Sequence, residues 1–266
     1  MATVNGEPAT VAQLAALALG NYGHFTTMRV EGGAVPGLSL HLDRLVGDCA
    51  AVFGADLDPE RVLGWVRAEV GGQEGVGGRG GALTVRVTVF DPALDIARPG
   101  EQADPHVLVT TRPAGVLPAP PLRVAALPYV RDAAAVKHTA LFGQLRMRRE
   151  ARRGGFDDVL FTGPGGLVSE GCTWNVGFVD RDGRVVWPEA DVLPGVTMRM
   201  LRSTVPGSAV RPVHVDELPA MRAVFATSAG VGVRPVEAVG AVPFATDDPV
   251  LHALREAYEA LPVERL

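Results

Sequence analysis

Lysine is almost missing from this chain: of its 25 lysine and arginine residues, Lys137 alone is lysine. The arginine excess accompanies abundant Ala, Gly, Val and Pro, which is the mark of a codon bias and says little about function. Where only positive charge is needed arginine serves, but a primary amine that deprotonates, attacks a carbonyl and carries a proton must be lysine. Cysteine is scarce as well. Cys49 and Cys172 form no CxxC or Cys/His spacing, which argues against a disulfide framework and a structural zinc and leaves two buried thiols. A basic surplus is absent, the formal net charge being -5, so nucleic acid is not an expected partner. The apolar run at residues 11–19 is broken by Gln13, lacks a basic flank and falls short of the roughly 20 residues that span a bilayer. No membrane association is expected, and the cytoplasm is the expected location. GxSxG, HExxH and a Walker lysine are all missing, so serine hydrolase, zincin and P-loop chemistry have no support. One GxGxxG pattern, Gly75 to Gly80, follows a helix-like stretch and precedes a strand-like one. That is the reverse of the order that aims a helix N-terminus at a pyrophosphate.

What is present is enough for a sizeable core: 266 residues, 47% of them hydrophobic, make one large or two modest domains. Residues 24–30 (HFTTMRV) read as a strand, and Glu31-Gly32-Gly33 as a turn. Leu42, Leu45, Val46, Cys49 and Phe53 recur at helical spacing, which predicts a helix over 41–53 with Ser39 as N-cap and with Arg44 and Asp48 off the apolar stripe. Asp58-Pro59 opens a second helix. Alternation over 83–90 and the apolar run 107–111 predict two more strands, giving an α/β first half at residues 1–115. Pro118, Pro120 and Pro121 make 116–121 too stiff and donor-poor for a sheet centre, so it reads as a linker. The larger C-terminal domain, 122–266, is expected to hold strands at 122–126, 159–162, 174–179, 185–187, 223–227 and 233–239. Its helices are expected at 139–153, at 197–205 and near the C-terminus.

Four features are spaced along the second half: Lys137, the acid Glu170 at a hairpin, the Gly195-Val196-Thr197 opening of a helix, and Thr227-Ser228 ending a strand. Taken singly, each has an ordinary reading as a surface lysine, a turn acid, an N-cap or a strand-end hydroxyl. Together they are the parts that pyridoxal phosphate needs: an amine for a Schiff base, an acid for the ring nitrogen, and hydroxyls with helix N–H groups for the phosphate.

The ordered set HLDRL at 41–45, VKH at 136–138, VSEGCTWNV at 168–176 and LPGVTMRML at 193–201 resembles the class IV aminotransferases, the fold-type IV pyridoxal 5'-phosphate enzymes. The resemblance implies a two-domain α+β fold of the D-amino-acid aminotransferase type and a homodimer. It makes Lys137 the catalytic Schiff-base lysine, sets Glu170 at the pyridine nitrogen, and gives Arg44, Val196, Thr197, Thr227 and Ser228 to the phosphate. Asn175 would satisfy backbone groups near the cofactor, and Trp174 would pack. On the substrate side the wording FTT-x-RV around Phe25, Thr27 and Arg29, together with Lys137-His138, is similar to 4-amino-4-deoxychorismate lyase. Phe25 stands where amino-acid transaminases of this fold often carry tyrosine. The Arg-Gly run that commonly follows the 83–90 strand in both groups is missing, which leaves Arg29, Arg86 and Arg234 as candidates for a substrate carboxylate. The expected activity is transamination of an amino-acid-like amine, with pyruvate-releasing lyase chemistry and a cofactor-binding homologue without transaminase activity as alternatives.

Overall fold

The computed structural model describes residues 2–72 and 81–266, so the Gly75 to Gly80 pattern lies outside the described residues. The fold is α+β and divides into two compact units. One comprises Met1–Gly115, Val136–Ala140 and Pro262–Leu266; the other comprises Val116–Ala135 and Leu141–Leu261. The division is thus not one of consecutive domains with a free linker. Residues 116–121 belong to the second unit, while the stretch bearing Lys137 and the last five residues return to the first.

The first unit runs β1 (Ala2–Val4), β2 (Glu7–Pro8), α1 (Val11–Gly20), β3 (His24–Val30), β4 (Ala34–Pro36), α2 (Leu38–Phe53), α3 (Pro59–Gly71), β5 (Leu83–Phe90) and β6 (His106–Pro113). Its sheet has the order β2-β1-β6-β5-β3 and is antiparallel throughout. Strand alternation separates two faces. Met28, Val30, Val85, Val87, Val89, Val107 and Val109 pack against Leu38, Leu45 and Cys49 of α2 and Val62, Leu63 and Val66 of α3. Each such side chain contributes about 1.5–3 kcal/mol of burial. The register puts Phe25, Thr27 and Arg29 opposite Thr88, Arg86 and Thr84, so the second face is polar.

The run at 11–19 folds as α1, opened by a Thr10–Gln13 capping box. Ser39 is not the N-cap of α2, because the helix already begins at Leu38 behind Gly37, whose positive φ of 67° turns the chain into it. Asp58 does cap α3, accepting the Glu60 and Arg61 N–H groups ahead of which Pro59 sits at the first helical position.

The second unit runs β7 (Leu122–Pro128), α4 (Phe142–Arg153), β8 (Asp158–Thr162), β9 (Val168–Gly171), β10 (Asn175–Val179), β11 (Val185–Pro188), α5 (Val196–Thr204), β12 (Ala209–Arg211), β13 (Ala223–Ser228), β14 (Gly232–Val239), β15 (Val242–Pro243) and α6 (Pro249–Glu259). Strands pair in the order β12-β11-β10-β13-β14-β7-β8-β9, and β9 pairs again with β10 through Glu170 and Asn175. That last pairing closes six strands into a ring and removes their open edges. Each of the six contributes to one core, with Val124, Leu160, Val168, Val176, Val224 and Val236 among its members. Outside the ring, Met198 and Leu201 of α5 and Leu251 and Leu254 of α6 pack on Val179, Ala223 and Phe225.

The helix expected from residue 139 starts only at Phe142. Residues 136–140 are irregular instead, tied to β3 by an isolated bridge between His138 and His24 in which the Phe25 N–H donates to the Lys137 carbonyl and the Thr139 N–H to the Gly23 carbonyl, both at 2.8 Å. Among the described residues no helix is long and apolar enough to cross a membrane.

Candidate active site

Lys137 is held by its main chain at the edge of the first unit's sheet. Beside the bond to Phe25, its N–H donates to Asp48 Oδ2 at 3.0 Å, and His138 bridges His24. The Thr139 hydroxyl donates to the carbonyls of Asn21 and Gly23. Lys137 Nζ stands 4.9 Å from the centre of the Phe25 ring, and the Arg86 guanidinium carbon lies 3.6 Å from that same centre. A buried aromatic ring therefore carries two cations. Arg86 donates through Nε to Thr88 Oγ1 at 3.2 Å, and desolvation pulls its guanidinium below the ordinary value. No carboxylate among the described residues forms an ion pair with it.

The other arginines considered from sequence are differently placed. Arg29 gives Nε to Glu31 at 3.2 Å and Nη1 to the Gly115 carbonyl at 2.8 Å. In the second unit, Arg234 gives Nε to the Pro120 carbonyl at 2.5 Å. Thr27 shares the polar face with Phe25 and lies opposite Arg86 in the register. Thr26 points the other way, 2.6 Å from Nδ1 of His41 on α2.

The α2 face that meets β3 holds groups that sequence reasoning left out. His41 is almost fully buried, and its imidazole is pushed down to about 3, first by burial and then by the positive charges of Arg44 and Lys137. His24 is sealed from water and is pushed down to about 4 by burial. Asp48, placed off the apolar stripe by its sequence position, is in fact buried. The spacing 41, 44, 48 puts His41, Arg44 and Asp48 on one helical face, a signal that was available but masked by the stronger apolar stripe.

In the second unit Glu170 is a buried strand residue rather than a turn acid. Oε1 accepts from Arg131 Nη1 and Oε2 from the Leu193 N–H, both at 3.2 Å. Arg131 is itself almost wholly buried and was not anticipated. The register sets Glu170 opposite Asn175 and Asn175 opposite Thr227. Asn175 Nδ2 donates to the Leu193 carbonyl at 2.8 Å, so Glu170 and Asn175 hold both polar groups of residue 193 just ahead of α5. A Cβ at Gly195 would overlap Asn175 Oδ1, which fixes glycine at the helix N-cap.

No side chain caps α5, so its first N–H groups remain available for an anion. Val196 and Thr197 begin that helix, and both are buried. The hydroxyls of Thr197 and Thr227 are buried and have no hydrogen-bond partner among the described residues. Ser228, the last residue of β13, is half-buried. Trp174 packs in the ring core and gives Nε1 to Asp158 Oδ2 at 3.0 Å. Residues of the two units thus form two separate groupings, one around Lys137, Phe25, Arg86, Arg44 and Asp48, the other around Glu170, Asn175, Thr197 and Thr227.

The family model for amino-transferase class IV matches residues 23–239. Among solved structures, a fold IV-transaminase from Curtobacterium pusillum is similar at 24% identity, with 96% of this chain and 91% of that one covered and a TM-score of 0.81. The branched-chain amino acid aminotransferase of Escherichia coli matches at 18% identity, covering 98% and 93%, with a TM-score of 0.84. A hypothetical aminotransferase from Mycobacterium tuberculosis, in its PLP-bound form, matches at 20% identity over 98% of both chains, with a TM-score of 0.80. No curated protein matches this sequence.

Proposed function

The chain belongs to the class IV aminotransferase family, a family of pyridoxal 5'-phosphate enzymes, and from that premise we propose that it transfers the amino group of a carboxylate-bearing amine, an amino acid, to a keto acid. The residues present fit the cofactor. Two buried hydroxyls without partners and an uncapped helix start are what a phosphate satisfies, and an acid held between Arg131 and a backbone N–H suits a ring nitrogen. Arg44, Val196, Thr197, Thr227 and Ser228 would hold the phosphate, Glu170 the ring nitrogen, and Lys137 the covalent attachment. Bound pyridoxal phosphate supplies an electron sink for cleavage at the amino-acid Cα.

The protein's own residues do the rest. Lys137 Nζ takes and returns the proton, positioned by the main-chain bonds to Asp48 and Phe25. Arg131 orients the Glu170 carboxylate. Arg86, stacked on Phe25 with no acid beside it, receives the substrate carboxylate; this is the observation that carries the substrate reading. Thr27 lines the same face, whereas Arg29 is occupied by Glu31 and the Gly115 carbonyl and serves the fold. Transamination is preferred to lyase chemistry because the named structural neighbours are transaminases. A cytoplasmic homodimer belongs to the same proposal. Two buried cysteines kept as thiols suit a reducing compartment, and light scattering would report a mass twice the 27.9 kDa chain.

The test uses purified protein loaded with pyridoxal phosphate. Borohydride should bleach the visible band and leave the label on Lys137, and Lys137→Arg should lose both label and activity. An amino acid should convert the bound cofactor to its amine form, and an amine without a carboxylate should do so poorly. Arg86→Met should erase most of that preference, raising KM for the amino acid about tenfold to a hundredfold for a lost charge-assisted pair. Pyruvate release without an amino acceptor would instead establish the lyase reading.

A further inference from the structure

Asp48 grips Lys137 across 89 residues of sequence. Any small acceptor, such as an asparagine or serine, could take the Lys137 N–H, and four further main-chain and hydroxyl bonds already seat residues 137–139. A buried carboxylate is an expensive choice for that task, because an ionised acid loses much of its hydration there. Its presence is explained by what surrounds it. Arg44 stands one helical turn before it on α2, and both Arg44 and Lys137 lie close enough to His41 to act on its charge. We propose that Asp48 is a positioning residue for Lys137, gripping its main chain through Oδ2 and setting a negative charge against its amine.

Charged and titratable groups lie beside the Lys137 segment on several elements. From α2 come His41, Arg44 and Asp48; from β3, His24; from β5, Arg86 across the Phe25 ring; and His138 follows on the segment itself. His24 and His41 stay neutral down to about 4 and about 3, and the arginines stay cationic. Asp48 thus supplies negative charge among cations, and it favours the ammonium form of Lys137.

The inference rests on Lys137 being the catalytic amine, but its test does not use catalysis. Because Lys137 is the sole lysine, reductive methylation with 13C-formaldehyde labels only that amine and the chain's α-amino group, and the two NMR signals titrate separately. In full-length protein without cofactor, Asp48→Asn should lower the Lys137 midpoint by about one pH unit, the size expected for one partly screened charge. Amide hydrogen exchange over residues 136–140 should stay slow in that variant, because asparagine still accepts the bond. Asp48→Ala should lower the midpoint equally and speed exchange at least tenfold, with Asp48→Leu, which fills the space without an acceptor, as the replacement should the alanine variant not fold. An unchanged midpoint in a folded Asp48→Asn protein would overturn the charge role, and unchanged exchange in the alanine or leucine variant would overturn the grip. Failure of borohydride labelling at Lys137 in the loaded wild-type enzyme is a separate result and would sink the catalytic reading alone.

Discussion

A threonine hydroxyl sealed from water without a partner costs about 1–3 kcal/mol, and the second unit carries two, Thr197 and Thr227. In a protein shaped only for stability, valine would fill either position at no polar cost. Their retention has a functional explanation if an anion satisfies them, and that explanation has a distinctive sign. Thr197→Val and Thr227→Val should each leave the melting temperature of the cofactor-free protein unchanged or raised, because an unsatisfied group is removed. Each should also weaken pyridoxal phosphate binding about tenfold, the value of one hydrogen bond to a charged group. Thermal melts without cofactor and fluorescence titration with it measure the two quantities. Variants that melt lower and bind as before would mark the hydroxyls as structural.

At the scale of elements, the seam between α2 and β3 makes stability depend on pH. His24 and His41 are held neutral in the fold down to about 4 and about 3, while in the unfolded chain both return to 6.5. Below 6.5 the unfolded state therefore binds protons that the folded state refuses. Stability is greatest above pH 6.5 and falls as pH drops toward 4, by at most about 1.4 kcal/mol per unit for each histidine. Urea unfolding at pH 7.0 and 5.5 should show a clear loss for the wild type and a smaller one for His41→Gln. Imidazole NMR should find neither ring titrating above pH 5.

The same seam separates what the sequence makes legible from what it hides. Periodicity marks β3, β5 and α3 because their signals are local: alternation over seven or eight residues, or Asp58-Pro59 at a helix start. The motif order likewise finds Lys137, Glu170 and the start of α5. Partners distant in sequence stay hidden. Arg131 reaches Glu170 over 39 positions, Asp48 reaches Lys137 over 89, and Glu264 reaches Ser39 over 225. No local pattern encodes those distances. The helix expected from residue 139 failed for the same reason, since tertiary pairing with β3 overrides the propensity of residues 136–140.

On the scale of the whole molecule, the chain's last residues complete a unit built mainly from its first 115. Val263–Arg265 pairs antiparallel with β4, and the Leu266 N–H donates to the Gly33 carbonyl at 3.0 Å. The Glu264 carboxylate accepts the Ser39 N–H at 3.1 Å and its hydroxyl at 3.2 Å. Gly37 offers α2 no side-chain cap, so a carboxylate from the far end of the chain performs that task and complements the helix dipole. Ending the chain at Leu261 removes the strand and the cap together, a loss of about 2 kcal/mol judged from one cap and a few exposed hydrogen bonds. That should lower the melting temperature by about 4–8 °C. Glu264→Gln, which loses charge but keeps an acceptor, should cost less than half as much. Because α2 carries His41, Arg44 and Asp48 on one face and Asp48 holds the Lys137 N–H, the truncation should also weaken cofactor binding several-fold. Calorimetry of the cofactor-free chain and titration with pyridoxal phosphate would separate the two effects. A truncated chain that melts lower but binds normally would show that the end of α2 bearing Asp48 is set by β3 alone.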